Sequence, residues 1–147
     1  MTRPGLARAR VGVRGAQEEA GRAACSAHGL DTPDPGVDPA GWESNKGYNR
    51  AHLLGAQIGG SNKDPRNFVT MHAYANSPIM RRYEGQLRKA VDNGEVIEYS
   101  ATPVYKGDSV IPEGVWLEAQ GSDGFQFMPK GATTGTNRIY IPNEPRN

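Results

Sequence analysis

The stretch NSPIMRRYEGQLRKAVDNG, residues 76–94, constrains the fold most, because it is an amphipathic helical pattern with strand-like sequence on both sides. Its apolar residues recur at three- and four-residue spacing and form one stripe: Ile79, Met80, Tyr83, Leu87, Ala90 and Val91. Ser77 or Asn76 can cap the start, where Pro78 is also tolerated in the first turn. Asn93 and Gly94 form a stop signal. We predict a helix whose stripe packs against a β-sheet.

Strand-like segments flank this helix in both directions along the chain. Before it, a strand is predicted over Arg50–Ala56, and a Gly/Ser/Asn-rich loop then leads to the short strand FVTM. After it come EVIEYSATPVY, GVWLEAQ and RIYI. In GVWLEAQ, apolar and polar positions alternate, which is typical of a strand with one buried face. The pattern predicts an α+β fold with a mainly antiparallel sheet packed on a helix.

The N-terminal part of the chain has a different character. Residues 1–45 show no sustained helical or strand period, apart from Gly15–Ala27, which can form two or three helical turns. Pro33, Pro35 and Pro39 then interrupt both helix and strand hydrogen bonding. Because 147 residues suit one domain, we expect residues 1–40 to form a poorly ordered arm or linker. Residues 41–147 would then form the folded domain.

The charges of the chain are strongly segregated, although the formal net charge is only +1. Residues 46–89 contain eight Lys or Arg against two acids, a local charge of +6. Residues 92–124 contain seven acids against one Lys, a local charge of −6. The basic block surrounds His52 and would attract a polyanion such as nucleic acid. Two solvated faces that neutralise each other would give the same totals, and charge alone favours that interpretation.

Several motifs, in one consistent order, carry a family resemblance. They are YNRAHLLGAQIGGSNKDPRNFVTMHAYANSP, YEGQLRKAVDNG, YSATPVYKGD and GVWLEAQGSDG, and together they span roughly residues 42–127. In this region the chain resembles the DNA/RNA non-specific endonucleases, whose site is a ββα-metal (His-Me) finger. It looks most like the versions that serve as toxin domains in bacterial competition. The resemblance implies a sugar-non-specific endonuclease that hydrolyses phosphodiester bonds in DNA and in RNA.

The family's Asp-Arg-Gly-His motif falls on Asn49-Arg50-Ala51-His52, so that Arg50 and His52 match while the other two positions depart. Its Asn-Pro-x-Asn stretch falls on DPRN, with Asp64 in place of the first asparagine and Asn67 as the second. The resemblance places the metal-binding asparagine at Asn76 and the helix glutamate at Glu84. Because the departures remove neither the base nor the metal ligand, we expect activity to survive them.

The chemistry of hydrolysis suits these residue types. An imidazole with a pKa near about 6.5 can deprotonate water near neutral pH, which makes His52 the candidate general base. Asn76 would offer an amide oxygen to Mg²⁺, or to another divalent cation such as Mn²⁺, which commonly keeps several waters. Glu84 would hold those waters, and Asn67 would hydrogen-bond across the strand pair to fix the finger. The candidate phosphate-binding cations are Arg50, Lys46, Arg66, Arg81 and Arg82.

Two rival interpretations of the same residues remain open. The chain could be a catalytically inactive module that binds nucleic acid through the same fold, or NRAHLLG could be merely a buried strand in an interaction protein. The resemblance to toxin domains predicts a dedicated inhibitor protein that covers the basic face. No run of about 18 apolar residues predicts a membrane span. No signal peptide is evident, so we expect either a cytoplasmic location or export by a specialised secretion system.

Overall fold

The larger of the two sheets contains five antiparallel strands. A computed structural model describes residues 3–12, 15–18, 38–55, 59–61 and 63–146, with the backbone alone for 15–18. The strands of this sheet are β1 (Ala7–Gly12), β2 (Gly15–Glu18), β5 (Ile97–Val104), β6 (Gly114–Gly121) and β7 (Arg138–Pro142), and their order across the sheet is β2-β1-β5-β6-β7. A separate antiparallel hairpin pairs β3 (Tyr48–His52) with β4 (Phe68–His72), and α1 spans Arg81–Asp92.

The alternation in GVWLEAQ places one face of β6 in the core, as the sequence predicts. Val115, Leu117 and Ala119 are buried, whereas Glu118 and Gln120 are exposed. The register pairs Leu117 with Ala101 of β5 and Ala119 with Tyr99 of β5, so that the inward side chains of the two strands lie side by side. The inner face of the sheet therefore presents a continuous apolar surface to the helix.

The apolar stripe of α1 lies in the same core, which confirms the predicted helix and its orientation. Tyr83, Leu87 and Val91 are buried on α1, and the Tyr83 ring meets the Phe127 ring edge-on at a centroid distance of 5.7 Å. The stop signal is also confirmed, because Gly94 takes a positive φ of 99° directly after the last turn.

The start of the helix differs from the prediction. An irregular helical turn, Ala75–Met80, runs directly into α1, and Ser77 inside it has an extended backbone (φ −142°, ψ 114°). Neither the turn nor α1 begins with a side-chain capping hydrogen bond. The expected cap at Ser77 or Asn76 is therefore wrong, because the preceding turn continues into the helix and there is no free helix end to cap.

The hairpin also differs in its bounds from the predicted strand Arg50–Ala56. β3 begins two residues earlier and ends at His52, and Ala56 itself lies outside the described residues. The N–H of Leu53 still donates to the backbone oxygen of Asn67, whereas the N–H of Leu54 donates to the Asn67 side chain, so regular strand pairing ends here. The predicted strand FVTM is confirmed as β4.

The side chain of Asn143 joins the hairpin to the rest of the molecule. Its Nδ2 donates to the backbone oxygens of Thr70 (3.1 Å) and Pro112 (2.8 Å), and its Oδ1 accepts from the N–H of His72 at 2.7 Å. Because one amide contacts β4 and the loop before β6, the hairpin is held at a defined place beside the sheet.

The N-terminal segment contributes to the sheet, which corrects the expected absence of strand structure there. β1 pairs with β5, Val11 opposite Ile97, and both Ala9 and Val11 are buried. The backbone of Gly15–Glu18 is a strand paired with β1, so this part of the predicted helix Gly15–Ala27 is wrong. Residues 19–37 lie outside the described part, and for them the predicted arm stays a prediction. Among the described helices, none is long and apolar enough to cross a bilayer.

If β1 is part of the core, Val11→Ala should lower the free energy of unfolding by about 1 to 3 kcal/mol, because it removes buried apolar atoms. Arg10→Ala is the matched control, because Arg10 lies on the same strand but faces solvent. Its Nε lies 3.3 Å from Oε1 of the exposed Glu98. Its expected effect is below about 0.5 kcal/mol. Urea unfolding of both variants measures the difference, and equal effects would place β1 outside the cooperative core.

Candidate active site

His52 is the last residue of β3 and lies opposite Phe68 of β4. The two rings are tilted with centroids 4.7 Å apart, and His52 is only 9% exposed. Because side chains at i and i+2 of a strand share a face, His52 lies on the same face of the hairpin as Arg50 and Tyr48. The imidazole is therefore held at the end of the hairpin with a restricted orientation.

Asn67 holds the loop that follows His52. Its Oδ1 accepts from the N–H of Leu54 at 2.9 Å, and its Nδ2 donates to the backbone oxygens of Leu54 and Ser61, each at 2.9 Å. Its own backbone oxygen accepts from the N–H of Leu53 at 2.8 Å. One buried side-chain amide thus bonds the chain on both sides of the loop. The sequence predicts a hydrogen bond from Asn67 across the strand pair; the bonds of its side chain reach Leu54 and Ser61, which follow the end of β3.

Two glycines allow the loop to approach its neighbours closely. A Cβ atom at Gly60 would overlap the backbone oxygen of Leu54, and a Cβ atom at Gly55 would overlap the carboxylate of Glu84. The N–H of Gly60 also donates to the oxygen of Gly55 at 2.9 Å. Glycine is needed at both positions because any side chain would push the loop away from Asn67 or from the helix.

Glu84 lies in the first turn of α1 and is buried, with 7% of its surface exposed. Its carboxylate packs against the backbone of Gly55, three residues after His52. Burial raises the pKa of Tyr99 on the sheet well above its ordinary range, and the negative charge of Glu84 raises the pKa further. The helix therefore brings a carboxylate to the loop after His52, and Tyr99 stays protonated at neutral pH.

Asn76 occupies the irregular turn Ala75–Met80, which contacts β4 and leads into α1. The residue is half-buried, and its side-chain amide makes no hydrogen bond to another described residue. Its oxygen is a neutral, hard donor of the kind that Mg²⁺ accepts. Within the described ranges no three His, Cys, Asp or Glu residues form a cluster that could hold a metal ion. A cation here would depend on the Asn76 oxygen and on waters, and the carboxylate of Glu84 suits the holding of such waters.

The candidate phosphate-binding cations differ in their exposure, and two of them contact acids. Arg50 contacts Asp38, with its Nη2 2.6 Å from Oδ1, and stacks on Trp42. Arg66 pairs with Asp64, with its Nη2 2.6 Å from Oδ2. The hydrogen bonds from the Arg66 side chain lower the pKa of the Asp64 carboxyl. Lys46 and Arg81 are exposed, and Arg82 is half-buried.

The sequence pattern does not predict Asp38, Trp42, Gly55 or Gly60 as site residues. The structure places all four in contact with predicted site residues. Gly55 and Gly60 lie at the two ends of the loop after Leu54. Their identity as glycines is the one sequence signal that could have indicated a close contact there. Asp38 lies in the proline-rich stretch that was predicted to be a linker, so nothing in the sequence connects it with Arg50.

A hairpin that ends in a histidine, followed by a helix that brings a carboxylate to the same loop, defines the class of ββα-metal nucleases. The model of the DNA/RNA non-specific endonuclease family matches residues 31–123, which is well over half of the chain. The chain belongs to this family, and thus to the nucleases among the hydrolases.

Solved structures agree with this assignment. The chain is similar to NucA from Streptococcus agalactiae, solved with a magnesium ion bound, at 26% identity and a TM-score of 0.69. That match covers 97% of this chain and 68% of NucA. A structure described as an extracellular endonuclease matches at 20% identity and a TM-score of 0.64, over 99% of this chain and 74% of its own. The Sda1 nuclease with bound zinc matches at 23% identity and a TM-score of 0.57. That match covers 67% of this chain and 39% of Sda1. The last two matches support the fold alone.

The contact between Gly55 and Glu84 can be tested with a single methyl group. Gly55→Ala should displace the Glu84 carboxylate or the loop, destabilise the protein by about 1 to 3 kcal/mol and lower nuclease activity. Gly85→Ala is the control: Gly85 lies next to Glu84 on the helix, and a Cβ there meets nothing within 4 Å. It should stabilise the helix by up to about 1 kcal/mol. Thermal unfolding together with a cleavage assay measures both, and equal behaviour of the two variants would refute the contact.

Proposed function

We propose that this protein is a divalent-metal-dependent endonuclease that hydrolyses phosphodiester bonds in both DNA and RNA, with His52 as general base. The observation that carries the proposal is the convergence of elements on the loop after His52, where Asn67 holds one side and Glu84 packs on the other. Family membership supports the nucleic-acid substrate. The magnesium ion bound to the similar NucA supports a divalent cation.

The residues of the chain divide the work of hydrolysis. His52 takes a proton from the attacking water, and its contact with Phe68 holds the ring in place. Asn67 keeps the loop after His52 in one conformation, and Arg50 offers N–H donors to a phosphate. Asn76 and Glu84 are the residues that would hold Mg²⁺ or Mn²⁺ and its waters. When bound, the cation would stabilise the charge on the pentavalent phosphate and on the leaving oxygen.

The distribution of cations supports cleavage without selection of the sugar or of the base. Lysine and arginine side chains bind phosphate oxygens, and phosphates carry no sequence information. The candidates here are Lys46, Arg66, Arg81 and Arg82. Affinity that depends on such contacts falls as the salt concentration rises. The role of an antibacterial toxin domain, with a dedicated inhibitor protein, stays a prediction of the sequence resemblance.

A plasmid-nicking assay tests the proposal. With Mg²⁺ the protein should degrade plasmid DNA and also single-stranded RNA, and EDTA should abolish both activities. His52→Ala should lower the rate by about 10² to 10⁴, the size expected when a general base is lost. His72→Ala is the matched control, because His72 lies on the same hairpin face, opposite Tyr48. Its variant should keep most of the activity.

Other outcomes would contradict the proposal in distinct ways. A gel shift that persists in EDTA, with no cleavage in Mg²⁺, would identify a module that binds nucleic acid without cutting it. An equal loss in both histidine variants, accompanied by lower thermal stability, would indicate that His52 is only a packing residue. Cleavage of DNA with no cleavage of RNA would remove the claim of sugar non-specificity and leave the metal-dependent nuclease.

A further inference from the structure

The guanidinium group of Arg50 is held from two directions. Its Nε and Nη2 donate to Oδ1 of Asp38 at 2.8 Å and 2.6 Å, and its flat face lies 3.9 Å from the centre of the Trp42 ring. A planar guanidinium can accept a carboxylate at its edge and an aromatic ring on its face at the same time. The two contacts together determine both the position and the plane of the group.

The segment that makes these contacts is itself anchored. Thr70, which lies opposite Arg50 in the hairpin, donates from Oγ1 to the backbone oxygen of Ala40 at 3.0 Å. Gly41 has a positive φ of 81°, and a Cβ atom there would lie 2.5 Å from Cγ1 of Ile111. The segment 38–42 is therefore fixed to β4 on one side and to the loop before β6 on the other. Asp38 and Trp42 are presented to Arg50 by a defined backbone.

Asp38 uses only one edge of the guanidinium. An arginine has five N–H donors, and the bonds from Nε and Nη2 use two of them. The donors that remain, on Nη1 and on the outer side of Nη2, form the end-on fork that suits two phosphate oxygens. Arg50 also keeps 25% of its side chain exposed. A phosphate can therefore bind Arg50 without displacing Asp38.

Arg50 and His52 lie on the same face of β3 and are two residues apart, which corresponds to about 7 Å along a strand. We propose that Asp38 and Trp42 are positioning residues that orient the free fork of Arg50 toward the phosphate next to His52. This inference rests on the proposed nuclease function. Pre-orientation matters because a flexible arginine would lose rotamer freedom at the moment of reaction.

Asp38→Asn removes the charge that holds Arg50 and keeps the size of the side chain. With Mg²⁺ and plasmid substrate, we expect kcat to fall about tenfold, because a neutral amide oxygen holds the guanidinium more weakly than a carboxylate does, while KM changes much less. Trp42→Phe should keep most of the rate because it keeps a ring face, whereas Trp42→Ala should lower it. Glu98→Gln is the matched control, since it breaks the exposed Arg10–Glu98 pair on the outer face of the sheet. It should leave kcat unchanged.

A double-mutant cycle separates positioning from a general effect on stability. If Asp38 acts through Arg50, Asp38→Asn should have no further effect on kcat in an Arg50→Ala background. The same tenfold loss in that background would overturn the inference, because Asp38 would then act elsewhere. An unchanged kcat for Asp38→Asn would also overturn it. A faster Asp38→Asn enzyme would mean that Asp38 competes with the phosphate.

The failure of this inference can be distinguished from the failure of the proposed function. If the wild-type protein shows no metal-dependent cleavage, the proposed function fails first. If the wild-type protein cleaves and Asp38→Asn cleaves equally fast, only the positioning role fails. Should Asp38→Asn not fold, the comparison of Trp42→Phe with Trp42→Ala decides the question, supported by far-UV circular dichroism of each variant.

Discussion

The geometry of the site depends on the side-chain amide of Asn67. Its oxygen and nitrogen bond the loop after His52 on both sides, and the oxygen accepts from the backbone N–H of Leu54. These bonds end β3 at His52, so the histidine stands at the tip of the hairpin. A buried backbone group that lost its partner would cost about 1 to 3 kcal/mol, so the loop has little freedom to adopt another path.

The helix depends on the same loop through Glu84. A carboxylate is rarely buried without compensation, and here it lies in the first turn of α1, close to Gly55. The site therefore combines His52, the predicted general base, with a buried carboxylate at a loop that has glycine where the contacts are closest.

How much could be predicted from the sequence varied with the kind of signal. The stripe of α1 and the alternation of β6 were predicted correctly, because each repeats a burial pattern over several residues. The strand β1 was not predicted, because its inward positions include the small residue Ala9 and give only a weak apolar pattern. Its pairing is with β5, which is distant in the sequence. The expected helix cap was wrong, because the turn Ala75–Met80 supplies the helix start through the backbone, which no side-chain pattern reveals.

By itself, the sequence determined which kinds of side chain the chain can bring to a site. It contains a histidine, an asparagine before a helix and an acid within that helix, in the order that the resemblance to the family predicts. Only the tertiary structure decided which residues hold these groups in place. Asp38 and Arg50 are twelve residues apart, and Gly55 and Glu84 are farther apart still. Local sequence patterns report which way a side chain faces, whereas contacts between distant segments follow from how hairpin, helix and sheet pack together.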